Sequence, residues 1–325
     1  MNAVSINSDW LANRPADRLT IVTVRNCVVT RSSLVLTWRG VERASLFDNI
    51  PAVLFRGMQR VGVGSLLRNR LSVLRSERPL YHIFNIWGTG YHHWLTEVAP
   101  KLFLFEQQIR QGTFILPERT PEFIFEFLSE FGFDNYVHRK GNAFVRELQV
   151  ITNPNSGHYS AGHLAPLLKA VLEKYGQCVP ARRRIYVSRR NSRGRKVVND
   201  AEVSEFLASR GFEILELENV RFRDQVRIFS SCELLISIHG AALTNLMFMP
   251  AGGRVVEFYP SGFSEGDYFN ACYKRLSSVA GIEHEYLFCR REKEASAFDL
   301  HNDNIVVDVG QLEMAATAAQ KGVKS

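Results

Sequence analysis

Residues 183–260 read RRIYVSRRNSRGRKVVNDAEVSEFLASRGFEILELENVRFRDQVRIFSSCELLISIHGAALTNLMFMPAGGRVVEFYP, four strand signals separated by helix signals. RRIYVSR predicts a strand. NDAEVSEFLASRG predicts a helix opened by an Asn199-Asp200 cap and closed by Gly211. FEILELE is the next strand, RFRDQVRIFSSC the next helix, and ELLISIHG an apolar, buried strand that ends at His239-Gly240. AALTNLMFMP supplies a turn and helix, and GRVVEFYP another strand. Strands alternating with helices over about 80 residues predict a doubly wound parallel sheet.

Upstream, the helix AGHLAPLLKAVLEKYG ends at Gly176, and CVPARRR reads as a linker. The expected domains are therefore 1–178 and 179–325. LYHIFNIWGTGYHHWLTEVAPKLFLFEQQIRQG predicts a strand over Leu80–Phe84, a Gly-rich turn and a helix from about Tyr91, which Pro100 kinks or restarts. TFILP is a short strand. PEFIFEFLSEFG is an amphipathic helix with Pro121 at its start and Gly132 at its end. Residues 58–75 are basic and irregular, a loop with a short helix, and residues 19–36 form a hairpin around TRSS. Beyond residue 260 the weakly hydrophobic REKEASAFDLHNDN leads to an Ala-rich helix near Gln311–Lys321.

The 325 residues, 46% hydrophobic and 22% charged, suffice for two cores and exclude wholesale disorder and collagen-like repeats. No stretch approaches the roughly 18 apolar residues of a membrane span. Neither a secretory leader nor an N-x-S/T sequon is read. Five scattered cysteines (Cys27, Cys178, Cys232, Cys272, Cys289) argue against a disulfide framework or zinc site. The net charge of +7 is uneven: 20 basic against 14 acidic residues in 1–175, and 20 against 19 in 176–325. Eight of the latter's basic residues lie between Arg182 and Lys196. Arg outnumbers Lys 31 to 9, which suits bidentate phosphate binding and equally a GC-rich codon bias. The charge alone admits nucleic acid, an anionic membrane face or a phosphorylated small molecule as partner.

In open α/β sheets ligands sit beyond the carboxyl ends of strands. IYVS runs into Arg189-Arg190, LLISI into His239-Gly240-Ala241-Ala242 with Thr244 and Asn245 just after, and RVVEF carries Glu257. Small residues at a strand-to-helix turn let a phosphate reach backbone N–H groups. Two arginines could clamp a diphosphate, and a carboxylate could hold ribose hydroxyls. Taken singly, these features also read as a solvated basic face, a tight turn and a surface acid; their recurrence at successive strand ends favours a nucleotide-diphosphate site. Neither G-x-G-x-x-G after the first strand nor a P-loop is present. In the first half, His93 and Glu97 share a helical face at i, i+4, a pairing that orients an imidazole as general base. A capped helix with aromatic packing is the competing reading. H-E-x-x-H is absent, and the remaining histidines scatter without a metal-ligand pattern.

Together the strings S-R-R, HGAALTN and V-x-E-x-x-P, Asn199-Asp200, Gln225, and H-W-L-x-E-x-x-P at His93, Trp94, Leu95, Glu97 and Pro100 resemble the family 61 glycosyltransferases. The resemblance covers about residues 80–110 and 182–260. It implies a GT-B fold: two Rossmann-like α/β domains facing a cleft, the donor bound by the C-terminal one, with a terminal helix able to cross back. It implies inverting transfer from a nucleotide sugar, commonly UDP-linked, to a glycan or lipid-linked acceptor, with no tightly bound cofactor and no required metal. On it, His93 deprotonates the acceptor and Glu97 orients His93. Arg189, Arg190 and the N–H groups of Gly240, Ala241 and Ala242 receive the diphosphate, His239 and Asn245 touch phosphate, and Glu257 holds ribose. Without leader or sequon, the best match is a bacterial, cytoplasmic enzyme of capsule or lipopolysaccharide assembly. Its basic first half would face an anionic inner membrane or a phosphorylated acceptor. Nucleic acid is not expected, because the basic run interleaves no aromatic except Tyr186. A heptosyl- or Kdo-type GT-B transferase and a non-catalytic carbohydrate- or nucleotide-binding protein are the alternatives.

Overall fold

The computed structural model describes residues 19–46, 70–176, 182–192, 195–262, 269–292 and 303–322, with Gly57, Gly64 and Pro180 besides. Three expectations lie wholly or largely outside those residues: the helix in 58–75, the linker around Cys178, and most of REKEASAFDLHNDN. The described chain divides into two compact units, one ending at Leu167 and the other starting at Leu168.

The first unit is built on a mixed eight-stranded sheet. Its strands are β1 (Ile21–Val29), β2 (Val35–Thr37), β3 (Gly40–Val41), β4 (Leu71–Val73), β5 (Leu80–His82), β6 (Thr113–Leu116), β7 (Tyr136–His138) and β8 (Asn142–Ile151), ordered β3-β2-β1-β8-β5-β6-β7 with β4 also on β8. β8-β5-β6-β7 is parallel, as the strand–helix alternation predicts, whereas β1 runs antiparallel to β2 and β8. This corrects the expected Rossmann-like first domain. The TRSS turn is too short for the crossover of about a dozen residues that parallel pairing needs, so the chain returns antiparallel. Val24, Cys27, Leu80, Ile115, Val145 and Leu148 fill the core under this sheet.

Between β5 and β6 lies α1, residues 91–104. It is α-helical over Tyr91–His93, π-helical over Trp94–Val98 and α-helical again over Ala99–Leu104. Pro100 has no N–H for the Thr96 carbonyl four residues back. That carbonyl instead pairs with His163 Nε2 at 3.1 Å. The helices α2 (Glu106–Gln111), α3 (Glu122–Glu130) and α4 (Ala161–Tyr175) complete this part of the chain, and Gly132 turns away after α3 with φ +68°.

The second unit carries β9 (Arg183–Val187), β10 (Glu213–Leu215), β11 (Cys232–Ile238), β12 (Arg254–Pro260), β13 (Glu283–Arg291) and β14 (Ile305–Val306), ordered β10-β9-β11-β12-β13-β14. All pairs are parallel except β13–β14. The strand order reverses between β9 and β11, which makes the crevice beyond their carboxyl ends the switch point where such sheets bind ligands. α5 (Asp200–Ser209), α6 (Phe222–Phe229), α7 (Cys272–Ala280) and α8 (Val309–Gly322) cover it.

Two details depart from the sequence reading. Ala241–Phe248 is a 3₁₀ helix: every residue from Leu243 to Phe248 is buried, so no solvent face selects the α period. Asn199 stands at the N-cap of α5, but its side chain makes no cap bond. It accepts from Val307 N (3.0 Å) and donates to Val307 O (2.8 Å), pinning the chain beyond β14. In the terminal helix α8, Leu312 and Ala315 lie in the core of its own unit with Val203, Leu207 and Val256. The four described cysteines are buried, and none is in a disulfide among the described residues.

Candidate active site

In the first unit, the i, i+4 spacing survives the π turn and joins His93 Nδ1 to Glu97 Oε2 at 2.8 Å. Glu97 is fully buried. Asn85 Nδ2 donates to the same carboxylate oxygen at 2.9 Å and Ser156 Oγ to the other at 3.3 Å. An acceptor-only carboxylate fixes the proton of the imidazole on Nδ1 and leaves a lone pair on Nε2, the tautomer of a general base. The His93 side chain is 28% exposed, so a substrate hydroxyl can reach it.

Lys101, one turn beyond Glu97, is fully buried and matches its three donors to three oxygens: Ile83 O (2.8 Å), Ile151 O (3.3 Å) and Asn153 Oδ1 (2.6 Å). Burial pushes its ammonium down to about 7, against the pull of the Glu97 charge. It ties together the strand ends from which Asn85 and Ser156 reach Glu97. The sequence reading missed Asn85, Ser156 and Lys101; the i, i+4 relation of Lys101 to Glu97 was the available signal.

In the second unit, β9 and β11 deliver Arg189 and Gly240 to one place. Arg189 Nη1 donates to His239 O at 3.4 Å, and a Cβ on residue 240 would stand 1.9 Å from that nitrogen. Glycine is thus required for the guanidinium to lie across the turn. Arg195, not singled out in the sequence reading, brings a second cation: its charge depresses the Arg189 guanidinium, after burial, and is the leading charge acting on His239. Neither Arg189 nor Arg195 forms an ion pair among the described residues, although both sit close enough to repel. Ala241 and Ala242 open the 3₁₀ helix with no side-chain cap, so their N–H groups have no partner within the helix. Two cations beside the N–H groups that open a helix are an arrangement suited to an anion.

The other assigned residues go elsewhere. Arg190 is held on the opposite side by Asp200 (3.3 Å) and Glu216 (3.1 Å) and does not join Arg189. Asn245 is fully buried and donates to Gln225 Oε1 (2.9 Å) and Ala242 O (3.1 Å), so it shapes the turn from inside. Glu257 is also fully buried. One oxygen accepts from His239 Nδ1 and the other from His284 Nε2 (2.9 Å), whose Nδ1 accepts from Ser277 Oγ (2.8 Å). In place of ribose, Glu257 holds two imidazoles across β11, β12 and β13. Burial raises its carboxyl above the usual range, with His284 opposing. The His239 ring is enclosed by Tyr259 and Tyr273 and meets no solvent-side phosphate position.

Burial lowers His82 and His239 to about 3 and His163 to about 4. Each stays neutral when folded, whereas the unfolded chain protonates near 6.5. The unfolded state therefore binds more protons as pH falls, and stability is lost from pH 6.5 down towards about 4. Melting temperature followed against pH is expected to drop steadily through that window; a flat profile would contradict these burials.

Among the described residues, no group of three His, Cys, Asp or Glu side chains is placed to hold a metal ion. No helix there is long and apolar enough to cross a membrane. A family model described as Glycosyltransferase 61 matches residues 91–256, just over half of the chain. The chain is similar to protein O-linked-mannose beta-1,4-N-acetylglucosaminyltransferase 2 of Xenopus laevis: 36% identical over 107 residues, 32% of this chain and 18% of the relative. The Homo sapiens protein of that name is 33% identical over 103 residues, 30% of this chain and 17% of the relative. The match thus covers less than a fifth of the length of either curated relative.

Proposed function

The chain belongs to the glycosyltransferase 61 family, and from that premise we propose that it moves a sugar from a nucleotide-diphosphate donor to a glycan hydroxyl by a single inverting displacement. The observation that carries this reading is the unpaired Arg189–Arg195 couple at the switch point of the second sheet, beside the N–H groups of Ala241 and Ala242. As the acceptor oxygen bonds to the anomeric carbon, the bond from that carbon to the diphosphate oxygen breaks. Charge then grows on the departing diphosphate, where fixed cations and N–H dipoles act most strongly. His93 Nε2 takes the acceptor proton, and Glu97 stabilises the imidazolium that results. A uridine nucleotide is our choice of donor. The relatives' names suggest an N-acetylglucosamine donor and a mannose acceptor as first substrates to try. A GT-B arrangement of the two units belongs to the proposal. So does the surface-polysaccharide setting at the cytoplasmic membrane face, which rests on the resemblance.

UDP titration of single variants tests the site. Each of Arg189→Ala and Arg195→Ala is expected to weaken UDP by about 10–100-fold, the equivalent of one or two charge-assisted hydrogen bonds. Arg190→Ala should change little, because that guanidinium is already occupied by Asp200 and Glu216. Loss confined to Arg190→Ala would overturn the assignment. Gly240→Ala gives an independent check. The residue's extended backbone (φ 168°) accepts alanine, but the new methyl must push the Arg189 head away. The variant is expected to fold normally and bind UDP as weakly as Arg189→Ala.

A further inference from the structure

The sequence reading and the proposed mechanism leave Trp87 without a role. It is a large apolar side chain left 39% exposed on the first unit, and it stands against the proposed base: the indole and the His93 imidazole lie 5.3 Å apart, centroid to centroid, with 34° between their planes. Its position is fixed from both sides. Trp87 N donates to Asn85 Oδ1 at 2.9 Å, and Trp87 O accepts from Gly90 N at 2.8 Å. Asn85 is the same residue whose amide nitrogen donates to Glu97. One side chain therefore holds both the Trp87 backbone and the carboxylate that orients His93. Gly88 lets this loop lie tight on α1, since a Cβ there would come within 2.8 Å of Val98.

We propose that Trp87 is the platform for the acceptor, and that the acceptor is a pyranose ring stacked on the indole. This rests on the reading of His93 as general base. A hydroxyl losing its proton must lie about 3 Å from Nε2, so the body carrying it spreads over whatever adjoins the imidazole, here the indole. The C–H groups on one face of a pyranose carry slight positive charge and pack on the negative face of an aromatic ring. A serine or threonine in a peptide would instead bring backbone amides, and the indole answers their several donors and acceptors with a single N–H. Holding the platform rigid before binding is what lets stacking orient one hydroxyl towards the base.

The test follows the indole N–H resonances of the protein, which has four tryptophans. Trp87→Phe identifies the Trp87 signal. Methyl α-D-mannopyranoside, methyl β-D-glucopyranoside and methyl β-D-galactopyranoside are titrated in turn, with N-acetylserine methylamide as the peptide counterpart. At least one pyranoside is expected to move the Trp87 signal saturably, and the serine compound is not. With binding read by calorimetry in the variants, Trp87→Ala should weaken that pyranoside about tenfold, or ~1.4 kcal/mol, with Trp87→Phe restoring most of the loss. No response to any pyranoside, an equal response to the serine compound, or unchanged affinity in Trp87→Ala would each overturn the platform. UDP added to the same samples reports separately on Arg189 and Arg195. A failure of the donor reading is then seen as lost UDP binding, not as a silent Trp87.

Discussion

A His93→Ala enzyme is expected to turn over about 10²–10⁴-fold more slowly than the parent, the usual worth of a positioned general base. UDP affinity should stay near the parental value, because the residues assigned to the diphosphate belong to the other unit. The geometry makes this a sharp expectation. Glu97 has no solvent contact and takes hydrogen bonds from His93, Asn85 and Ser156, so little else on α1 could substitute for the imidazole. Glu97→Gln should cost less than His93→Ala, since an amide oxygen can still accept from Nδ1 but no longer offsets an imidazolium. Full turnover in His93→Ala would move the base to another group of the first unit.

The largest effect on stability is expected at Glu257. Its carboxylate is enclosed between His239 and His284, so alanine strands two N–H donors in a buried position. Removing one member of a buried charged cluster costs about 3–5 kcal/mol, a large share of the roughly 5–15 kcal/mol that holds a domain together. Glu257→Ala should therefore lower the melting transition of the second unit sharply and leave that of the first in place. Glu257→Gln keeps one of the two bonds and should fall between. A variant as stable as the parent would mean that the His239–Glu257–His284 bridge carries no weight.

Local pattern made the second sheet legible. Its strands announce themselves by apolar runs, and its turns by Gly211 and the His239-Gly240 pair. The His93–Glu97 pair was equally visible, because i, i+4 geometry is internal to a helix and survives even a π turn. What the chain order concealed was direction. Arg189 and Arg190 are neighbours just beyond β9, where the chain enters a turn and their side chains part. Arg189 consequently lies across Gly240, while Arg190 turns to Asp200 and Glu216. Glu257 looked like the end of a strand, but β12 runs on to Pro260 with β11 and β13 on either side, which buries it. Its second partner, His284, lies on a strand that the sequence reading did not assign. Arg195 reaches the site only through the tertiary course of the loop after β9, with its own backbone at φ +52°. Asn85 and Ser156 reach Glu97 from segments outside its helix. No periodicity marks such residues.

The central claim is that the second unit binds the diphosphate of a nucleotide through Arg189 and Arg195. Titrating UDP and UMP into the parent protein and into the Arg189→Ala/Arg195→Ala double variant tests it most directly, because the difference between the two nucleotides isolates the second phosphate. The account predicts that the parent prefers UDP by about 10-fold or more and that the double variant binds the two nucleotides alike. Equal affinity of the parent for UDP and UMP, or a preference for UDP that survives in the double variant, would contradict it.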